Sequence, residues 1–555
     1  MRKTDAFRRA AALLAALSIT VSLAAPAFAD IYYIDDGDIT ITKDEHGQTV
    51  QQNGTTKDDS GEIIITTREQ TITTQESDLE GPAAEDSGFG PVVEDNYQPA
   101  APAQPKDAEE PKDADQPESA EEPKSVDQPE NTDRQEDADQ QEDAEEPESA
   151  EEPEDADQPE NTDRQESAQQ VAPAAAPAAP TSVNPKDNGF WGNTITVINK
   201  AATALKLTLK DVKIDVSDTG KNTGNPWNSD EGKAALSVQG NGNVEIELDG
   251  KNELKSGAHR AGLEKNTSTS TGTLTLKDDN NEAGSLTATG GDWGAGIGNG
   301  GYYGNGGNRS GENITITGGS VTATGGDYAA GIGGGYYGSG KNITIKGGTV
   351  TATGGDEGAG IGGGYYGNGE NIKITDGTVN ATGGWGGAGI GGGGSYDGCS
   401  GKNITITGGT VTAGGGYRGA GIGGGYYGNG EDITITGGTV NADGGDNGAG
   451  IGGGATGSGS NVTVSGAAQV TATAGKSNGY YGAGATIGNG GNYTNGENVG
   501  GEEIQANISG LITGWIHHII YDPALVSEDN PLGIVREWWE PERPQPNPED
   551  PNAPA

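Results

Sequence analysis

Short stretches in which apolar and polar residues alternate recur at a regular interval through the second half of the chain. One unit contains three of them, at residues 342–346, 349–353 and 358–362, where Ile, Val or Ala stands at every second position. Alternation with a period of two predicts β-strands that bury one face. Gly-Gly, Gly-Gly-Asp and Tyr-Tyr-Gly-x-Gly segments separate the stretches and predict the turns.

The isoleucine of the Gly-Ala-Gly-Ile segment and its variants marks the register of this repeat. Its successive steps are 35, 29, 29, 32, 29 and 36 residues, so the basic unit has 29 residues. These isoleucines are Ile297, Ile332, Ile361, Ile390, Ile422, Ile451 and Ile487. A fixed period of this size is typical of a solenoid. The pattern predicts an all-β fold, a right-handed parallel β-helix with about three short strands in each 29-residue coil.

The third strand of each coil is predicted to turn glycines outward, as at Gly358, Gly360 and Gly362. Glycine inside a strand costs roughly 0.5–1 kcal/mol relative to alanine, so its return in every coil needs a reason. Two reasons stay open. A flat surface, either a polymer or a second solenoid, approaches the glycines closely, or the backbone needs them for tight corners.

The rest of the chain divides into segments of different composition. Arg2, Lys3, Arg8 and Arg9, the apolar stretch 10–25 and Ala27-Phe28-Ala29 predict a cleaved signal peptide, hence an extracellular protein that is secreted or associated with the cell surface. No later run of about 18 apolar residues predicts a transmembrane helix. The predicted segments are a signal peptide at 1–29, a small β-rich segment at 30–80, a disordered acidic linker at 81–189, the solenoid at 190–510, a Trp-rich C-terminal cap at 511–540 and a Pro-rich tail at 541–555.

Charge and composition narrow the function. Residues 101–170 contain 27 acidic and 5 basic residues, which predicts a disordered spacer. The whole chain has a net charge of −49, which disfavours nucleic acid and anionic membranes as partners. Glycine accounts for 100 of 555 residues, and a single cysteine excludes a disulfide framework.

Aromatic residues gather at two turns of the repeat, and stacking of the coils should align them into two ladders. The ladder after the third strand contains Tyr302, Tyr303, Tyr336, Tyr337, Tyr365, Tyr366, Tyr426 and Tyr427. The ladder after the second strand contains Trp293, Tyr328, Trp385 and Tyr417. Rows of rings suit the apolar faces of sugars, while neighbouring Asn, Asp and Thr can bond hydroxyls. The alternative is that the rings only stack on one another and cover the turns.

Four aspartates at the second turn, Asp292, Asp327, Asp356 and Asp446, are weak candidates for a metal site. Aligned carboxylates repel one another unless water or a cation lies between them, so calcium is a low-probability cofactor and no other cofactor is expected. The four histidines lie outside the regular repeats, and the arginines are scattered. No catalytic residues are therefore assigned, and the protein is predicted not to be an enzyme.

The segments Thr194–Val197, Leu207–Val216, Ala258–Leu263 and Ser285–Asp292, followed by the Gly-Ala-Gly-Ile-Gly-Gly-Gly copies, resemble glycine-rich repeat proteins of Clostridia-like bacteria. Those proteins are similar to the clostridial carbohydrate-binding β-helix family, whose fold is related to that of pectate lyases. The resemblance covers residues 190–490 and implies a parallel β-helix that binds a polysaccharide or a host or plant glycan. Two alternatives remain: a structural or adhesive rod that binds itself or cell-wall polymers, and a polysaccharide lyase or hydrolase with an unrecognised site.

Overall fold

The computed structural model describes residues 29–68, 189–221, 230–265, 268–280, 282–301, 310–522, 525–527, 530 and 533–541. Apart from their boundary residues, the predicted signal peptide, acidic linker and Pro-rich tail lie outside this part of the chain. The described residues form β-strands and turns with one 3-10 turn at Ile34–Asp36 and no α-helix. Within them no helix has the length and hydropathy needed to cross a membrane.

Fourteen strands precede the regular repeat. They are β1 (Asp30–Tyr33), β2 (Ile39–Lys43), β3 (Gln48–Gln52), β4 (Thr55–Asp58), β5 (Ile63–Thr66), β6 (Ile195–Asn199), β7 (Leu205–Lys210), β8 (Lys213–Asp215), β9 (Leu236–Gln239), β10 (Val244–Lys255), β11 (Leu263–Glu264), β12 (Leu274–Lys277), β13 (Gly284–Thr289) and β14 (Ile297–Gly298).

The regular coils and the C-terminal segment follow. The coil strands are β15 (Gly311–Ile316), β16 (Ser320–Thr324), β17 (Ile332–Gly333), β18 (Gly340–Ile345), β19 (Thr349–Thr353), β20 (Ile361–Gly362), β21 (Gly369–Glu370), β22 (Lys373–Ile374), β23 (Thr378–Thr382), β24 (Ile390–Gly391), β25 (Gly401–Ile406), β26 (Thr410–Gly414), β27 (Ile422–Gly423), β28 (Gly430–Ile435), β29 (Thr439–Asp443), β30 (Ile451–Gly452), β31 (Gly459–Val464), β32 (Gln469–Ala474) and β33 (Ile487–Gly488). The last strands are β34 (Asn492–Thr494), β35 (Glu497–Val499), β36 (Trp515–Tyr521) and β37 (Ile534–Glu540).

Successive coils pair in parallel, with equivalent residues as partners. Ile314 pairs with Ile343 in the first strand, Val321 with Val350 in the second and Ile332 with Ile361 in the third. Repetition of this register builds a parallel β-solenoid of about ten turns of roughly 30 residues. The prediction of a parallel β-helix with three strands per coil is confirmed, while its right-handedness stays a prediction.

The core is a single stack of rows that runs through the solenoid. Ile343, Ile345, Val350, Ala352 and Ile361 are fully buried, and each continues a row of like residues from coil to coil. Each inward side chain packs on equivalent side chains of similar size in the neighbouring coils. Each added coil therefore extends the core with its own short alternating strands.

The third strand differs from its prediction in length and in direction. It is only two residues long, as in β20, and the glycines predicted to face outward at 358, 360 and 362 are buried. A Cβ on Gly358 would overlap the carbonyl oxygen of Ala329, and one on Gly360 would lie 2.6 Å from the carbonyl oxygen of Gly389. The backbones of neighbouring coils are therefore in direct contact on this side. This contact supports the second reason for glycine, a requirement of the backbone itself, and the predicted flat glycine face is not exposed.

Residues 30–66 belong to the solenoid, although the sequence placed them in a segment of their own. Strand β2 pairs in parallel with β6, and β5 pairs in parallel with β7. Ile39 and Ile63 are buried in the same core as the later coils. The alternating strands of this segment need a partner for their apolar face, and the first coils supply it.

The C-terminal segment covers the last coil. Strand β36 pairs in parallel with β32, and β37 returns antiparallel to β36. His518 is buried where the coils have alanine, and its ring stacks on Trp538 at 4.4 Å. The hydroxyl of Thr486 donates to the Glu503 carboxylate at 2.8 Å and therefore accepts from His518 Nδ1 at 2.6 Å. Burial is the main cause that lowers the pKa of His518 to about 4, so the ring is neutral at neutral pH.

An asparagine column runs along the start of the first strands, at positions with positive φ. Asn342 Nδ2 donates to Asn313 Oδ1 at 3.0 Å, Asn371 to Asn342 at 3.1 Å and Asn403 to Asn371 at 3.3 Å. The next member is Asp432, which accepts from Asn461 but has no side-chain donor for Asn403. The sequence analysis did not predict this column.

Alanine at Gly358 should destabilise the protein by about 1–3 kcal/mol, because its Cβ would collide with the backbone of the preceding coil. Gly414 is the matched control. It belongs to β26, and a Cβ there would meet no atom within 4 Å. Chemical denaturation of Gly358→Ala and Gly414→Ala measures both effects, and an equal loss of stability would contradict the packing argument.

Asparagine at position 432 should raise the free energy of unfolding by about 1 kcal/mol, since its amide can donate to Asn403 Oδ1 and complete the column. Asp376→Asn is a control for removal of an exposed carboxylate outside the column. Thermal unfolding at constant pH compares the two. Equal gains would mean that charge removal, rather than the new hydrogen bond, causes the change.

Candidate functional site

The two aromatic turns lie side by side along the solenoid. The backbone N–H of Tyr336 donates to the Trp293 carbonyl oxygen at 2.9 Å, and that of Tyr365 donates to the Tyr328 carbonyl oxygen at 2.9 Å. The predicted two ladders are thus one continuous surface, because the strand that separates the two turns is only two residues long. We call the rings of this surface the aromatic seam. They belong to Trp293, Tyr328, Tyr336, Tyr337, Tyr365, Tyr366, Trp385, Tyr396, Tyr417, Tyr426, Tyr427 and Tyr481.

The backbone also corrects the membership of the second ladder. Trp293, Tyr328 and Arg418 share one position, with φ of 69°, 65° and 74°. Trp385 and Tyr417 precede that position and continue the aspartate row instead. A count back from the isoleucine of each coil separates the two rows in the sequence as well, because Trp385 and Tyr417 stand five residues before it and Trp293 and Tyr328 stand four.

The first half of the seam is stacked. The Trp293 and Tyr336 rings lie 4.9 Å apart, Tyr336 and Tyr365 lie 5.7 Å apart, and Tyr337 and Tyr366 lie 4.7 Å apart with planes within 4°. Part of the ring surface is therefore used within the protein, as the alternative interpretation expected. Tyr302 and Tyr303 lie outside the described residues.

Several rings of the seam, including the stacked Tyr337, remain partly open to solvent. Tyr337 is 48% exposed, Trp385 is 41% exposed and Tyr396 is 67% exposed, whereas Trp293 and Tyr426 are buried. Tyr396 follows the longer turn of the 32-residue step, so it stands further out than its neighbours. The candidate binding surface consists of these exposed rings, and the buried ones support them.

Arg418 lies in the second half of the seam and contacts four rings. Its guanidinium carbon is 4.6–5.3 Å from the ring centroids of Trp385, Tyr417, Tyr426 and Tyr481. Its Nε atom is buried without a hydrogen-bond acceptor. Tyr426 and Tyr481 share a hydrogen bond of 3.1 Å, which closes this group of rings. The arrangement is a cation–π cluster that joins several coils.

A notch interrupts the seam between its two halves. Gly386 stands in the row of Trp293 and Arg418, and Gly394 stands in the row of Tyr336 and Tyr426. The carboxylate of Glu357 fills the space, since a Cβ on either glycine would overlap its Oε2 atom. This oxygen is buried and has no hydrogen-bond donor. Burial, and after it the charge of Asp356, raises the pKa of Glu357 to about 7. The positive charge of Arg418 opposes this shift.

The aspartate row does not assemble a metal site. Among the described residues no group of three or more His, Cys, Asp or Glu side chains could hold a metal ion. Burial and the charges of Asp292 and Asp356 raise the pKa of Asp327, which agrees with the expected repulsion along the row. Asp446 instead lies 3.8 Å from the Lys476 ammonium group.

Sequence reasoning missed Glu357 and treated Arg418 as one of several scattered arginines. The signal that could have found both is a charged side chain at a turn position where the other described coils have Trp293, Tyr328, Gly386 or Asn447. The lone Cys399 is buried close by, and burial raises the pKa of its thiol to about 12, so it is a poor nucleophile.

The Glu357 carboxylate should make the stability of the protein depend on pH. Its pKa is raised on folding from 4.5 to about 7, so its contribution is fully present below pH 4.5 and is lost as the pH rises through 7. The free energy of unfolding of the wild type, minus that of Glu357→Gln, should therefore fall over this range. The groups whose charges act with it are Asp356, Arg418, Tyr365 and Cys399. A difference that is constant with pH would contradict the burial of this carboxylate.

Comparison with known proteins supports the architecture. Five stretches match a protein-family model described as a beta helix repeat, at residues 314–336, 343–365, 372–394, 404–426 and 433–455. Each match begins in or just before a strand of the first sheet position of a coil and ends at the seam position of Tyr336. No curated protein and no solved structure matches the chain. Together with the paired coils, these matches show a parallel β-helix repeat protein.

Proposed function

We propose that the protein is a secreted or cell-surface, non-enzymatic protein that binds a polysaccharide or another glycan along the aromatic seam. The observation that carries this proposal is the row of exposed rings at Tyr337, Trp385 and Tyr396. Aromatic side chains with a few well-placed polar groups are the usual lining of sites for uncharged ligands. The predicted signal peptide at 1–29 supports an extracellular location.

The charge around the seam favours a neutral glycan. Asp292, Asp327 and Asp356 lie beside the rings at exposed positions, and the whole chain carries a net charge of −49. Carboxylates at the edge of a site disfavour anionic partners through like-charge repulsion. Sulfated or uronic acid polymers should therefore bind more weakly than uncharged polysaccharides.

The alternative functions have different support. The hypothesis of a self-associating rod depended on an exposed glycine face. That face is not present, because the third-strand glycines are buried between coils. The lyase or hydrolase alternative gains one observation, since the pKa of about 7 for Glu357 suits a general acid or base. Release of reducing ends or unsaturated products by the wild type, and its loss in Glu357→Gln, would favour the enzyme.

Replacement of an exposed seam ring should weaken glycan binding. In native gels that contain β-glucan, galactomannan or xyloglucan, at least one polymer should retard the wild type, and Tyr337→Ala or Trp385→Ala should weaken the affinity about tenfold, or ~1.4 kcal/mol. Tyr493→Ala is the matched control, because Tyr493 is exposed on β34 outside the seam. Wild-type mobility that no polymer changes, or an equal effect of the control, would contradict the proposal.

A further inference from the structure

The notch between the two halves of the seam contains a carboxylate and a guanidinium group whose side chains form no hydrogen bond with the described residues. Glu357 and Arg418 belong to one row of turn positions, with Gly386 between them. They interact electrostatically, yet they form no direct ion pair in this part of the structure. Both side chains are attached to residues with positive φ, so the turn itself fixes their starting directions.

Each group has one enclosed side and one open side. Glu357 Oε2 is buried against Gly386 and Gly394, whereas Oε1 is not enclosed and accepts no hydrogen bond. Arg418 Nε is buried under the rings, whereas the two Nη groups are not enclosed and donate no hydrogen bond to the described residues. The fold thus holds an acceptor and several donors at the surface, with their inner atoms fixed by packing.

The protein incurs a free-energy cost for this arrangement. A buried polar atom without a partner destabilises the folded protein, and a charged group does so more strongly. At the position of Glu357 and Arg418 the other described coils have uncharged residues, namely Trp293, Tyr328, Gly386 and Asn447. An expensive departure inside a regular repeat indicates a site that is completed by something outside the chain.

We propose that Glu357 and Arg418 form a polar subsite for the hydroxyl groups of an uncharged sugar, which donate to the Glu357 carboxylate and accept from the Arg418 guanidinium. A hydroxyl suits this pair because it is both a donor and an acceptor. An anionic group could pair with Arg418 but would be repelled by Glu357 and by the adjacent Asp356. The exposed Trp385 ring, 5.3 Å from the guanidinium carbon, offers a surface for the sugar ring itself.

This inference rests on the proposed glycan function and assigns that function a specific anchor point. It also explains why Gly386 and Gly394 occur together. Their Cα atoms leave the space that the Glu357 carboxylate occupies, and a side chain at either position would displace it. Gly386 and Gly394 are therefore positioning residues for Glu357.

Five variants test the subsite in the same neutral-polysaccharide gels. Glu357→Gln, Arg418→Gln and Gly386→Ala should each weaken the affinity about tenfold, because the first two remove a charge-assisted hydrogen bond and the third displaces the carboxylate. Gly414→Ala should leave the affinity unchanged, since its Cβ would stand in open space. Arg418→Lys should not restore the affinity that Arg418→Gln loses, because an ammonium group cannot stack among the four rings that hold the guanidinium in place.

The outcomes separate the subsite from the wider proposal. If Tyr337→Ala weakens binding while Glu357→Gln and Arg418→Gln bind like the wild type, the seam binds glycan and the subsite is wrong. If no polymer retards the wild type, the glycan proposal fails, and the subsite is judged by thermal unfolding in concentrated methyl glucoside. A larger rise in Tm for the wild type than for Glu357→Gln would support a hydroxyl site, because solvent exclusion acts equally on both proteins. Equal rises would overturn it.

Discussion

The close approach of backbone to backbone on the glycine side of each coil is the contact on which the rest of the structure depends. No side chain separates neighbouring coils at Gly358, Gly360 and their equivalents, so carbonyl oxygens occupy the space where Cβ atoms would otherwise lie. This packing shortens the third strand to two residues, as in β20. The short strand brings the turn before it next to the turn after it. A repeat with larger residues at these positions would keep the two turns apart, and the rings would not form one seam.

The sequence predicted the period, the three strands of each coil and the inward rows. It could do so because the alternation in Ile343–Ile345 and Val350–Ala352 is visible within one coil, and stacking repeats the same pattern in the next. Two other features depend on contacts that alternation does not encode. The partner of the strand Ile63–Thr66 is Leu207–Lys210, more than a hundred residues later, and nothing local selects it. The column of amides at Asn342 and Asn371 was not predicted, because it depends on the register between coils and on the positive φ of these residues.

The aromatic seam was predicted, but the membership of its rows was not. Trp385 stands five residues before the isoleucine of its coil, whereas Trp293 and Arg418 stand four before theirs, so a count from the isoleucine separates the rows. The positive φ of Trp293 and Arg418 agrees with that count. The exposure of a ring also depends on its neighbours in adjacent coils, so Tyr426 is buried whereas Tyr336, at the equivalent position, is only partly buried. A polar residue that breaks the repeat, such as Glu357, is informative because every other coil offers a comparison.

Proton binding and ligand binding at the notch are coupled by the same atoms. The pKa of Glu357 is raised to about 7 because the folded protein encloses one carboxylate oxygen and offers it no donor. A hydroxyl that donates to the open oxygen would stabilise the ionised form and lower that pKa. By linkage, the ionised protein would then bind the hydroxyl more tightly than the protonated one. The ionised Glu357 carboxylate therefore destabilises the folded protein most when the subsite is empty. A hydroxyl of an uncharged sugar would offset part of that free-energy cost, and the sugar itself brings no charge to the strongly acidic chain.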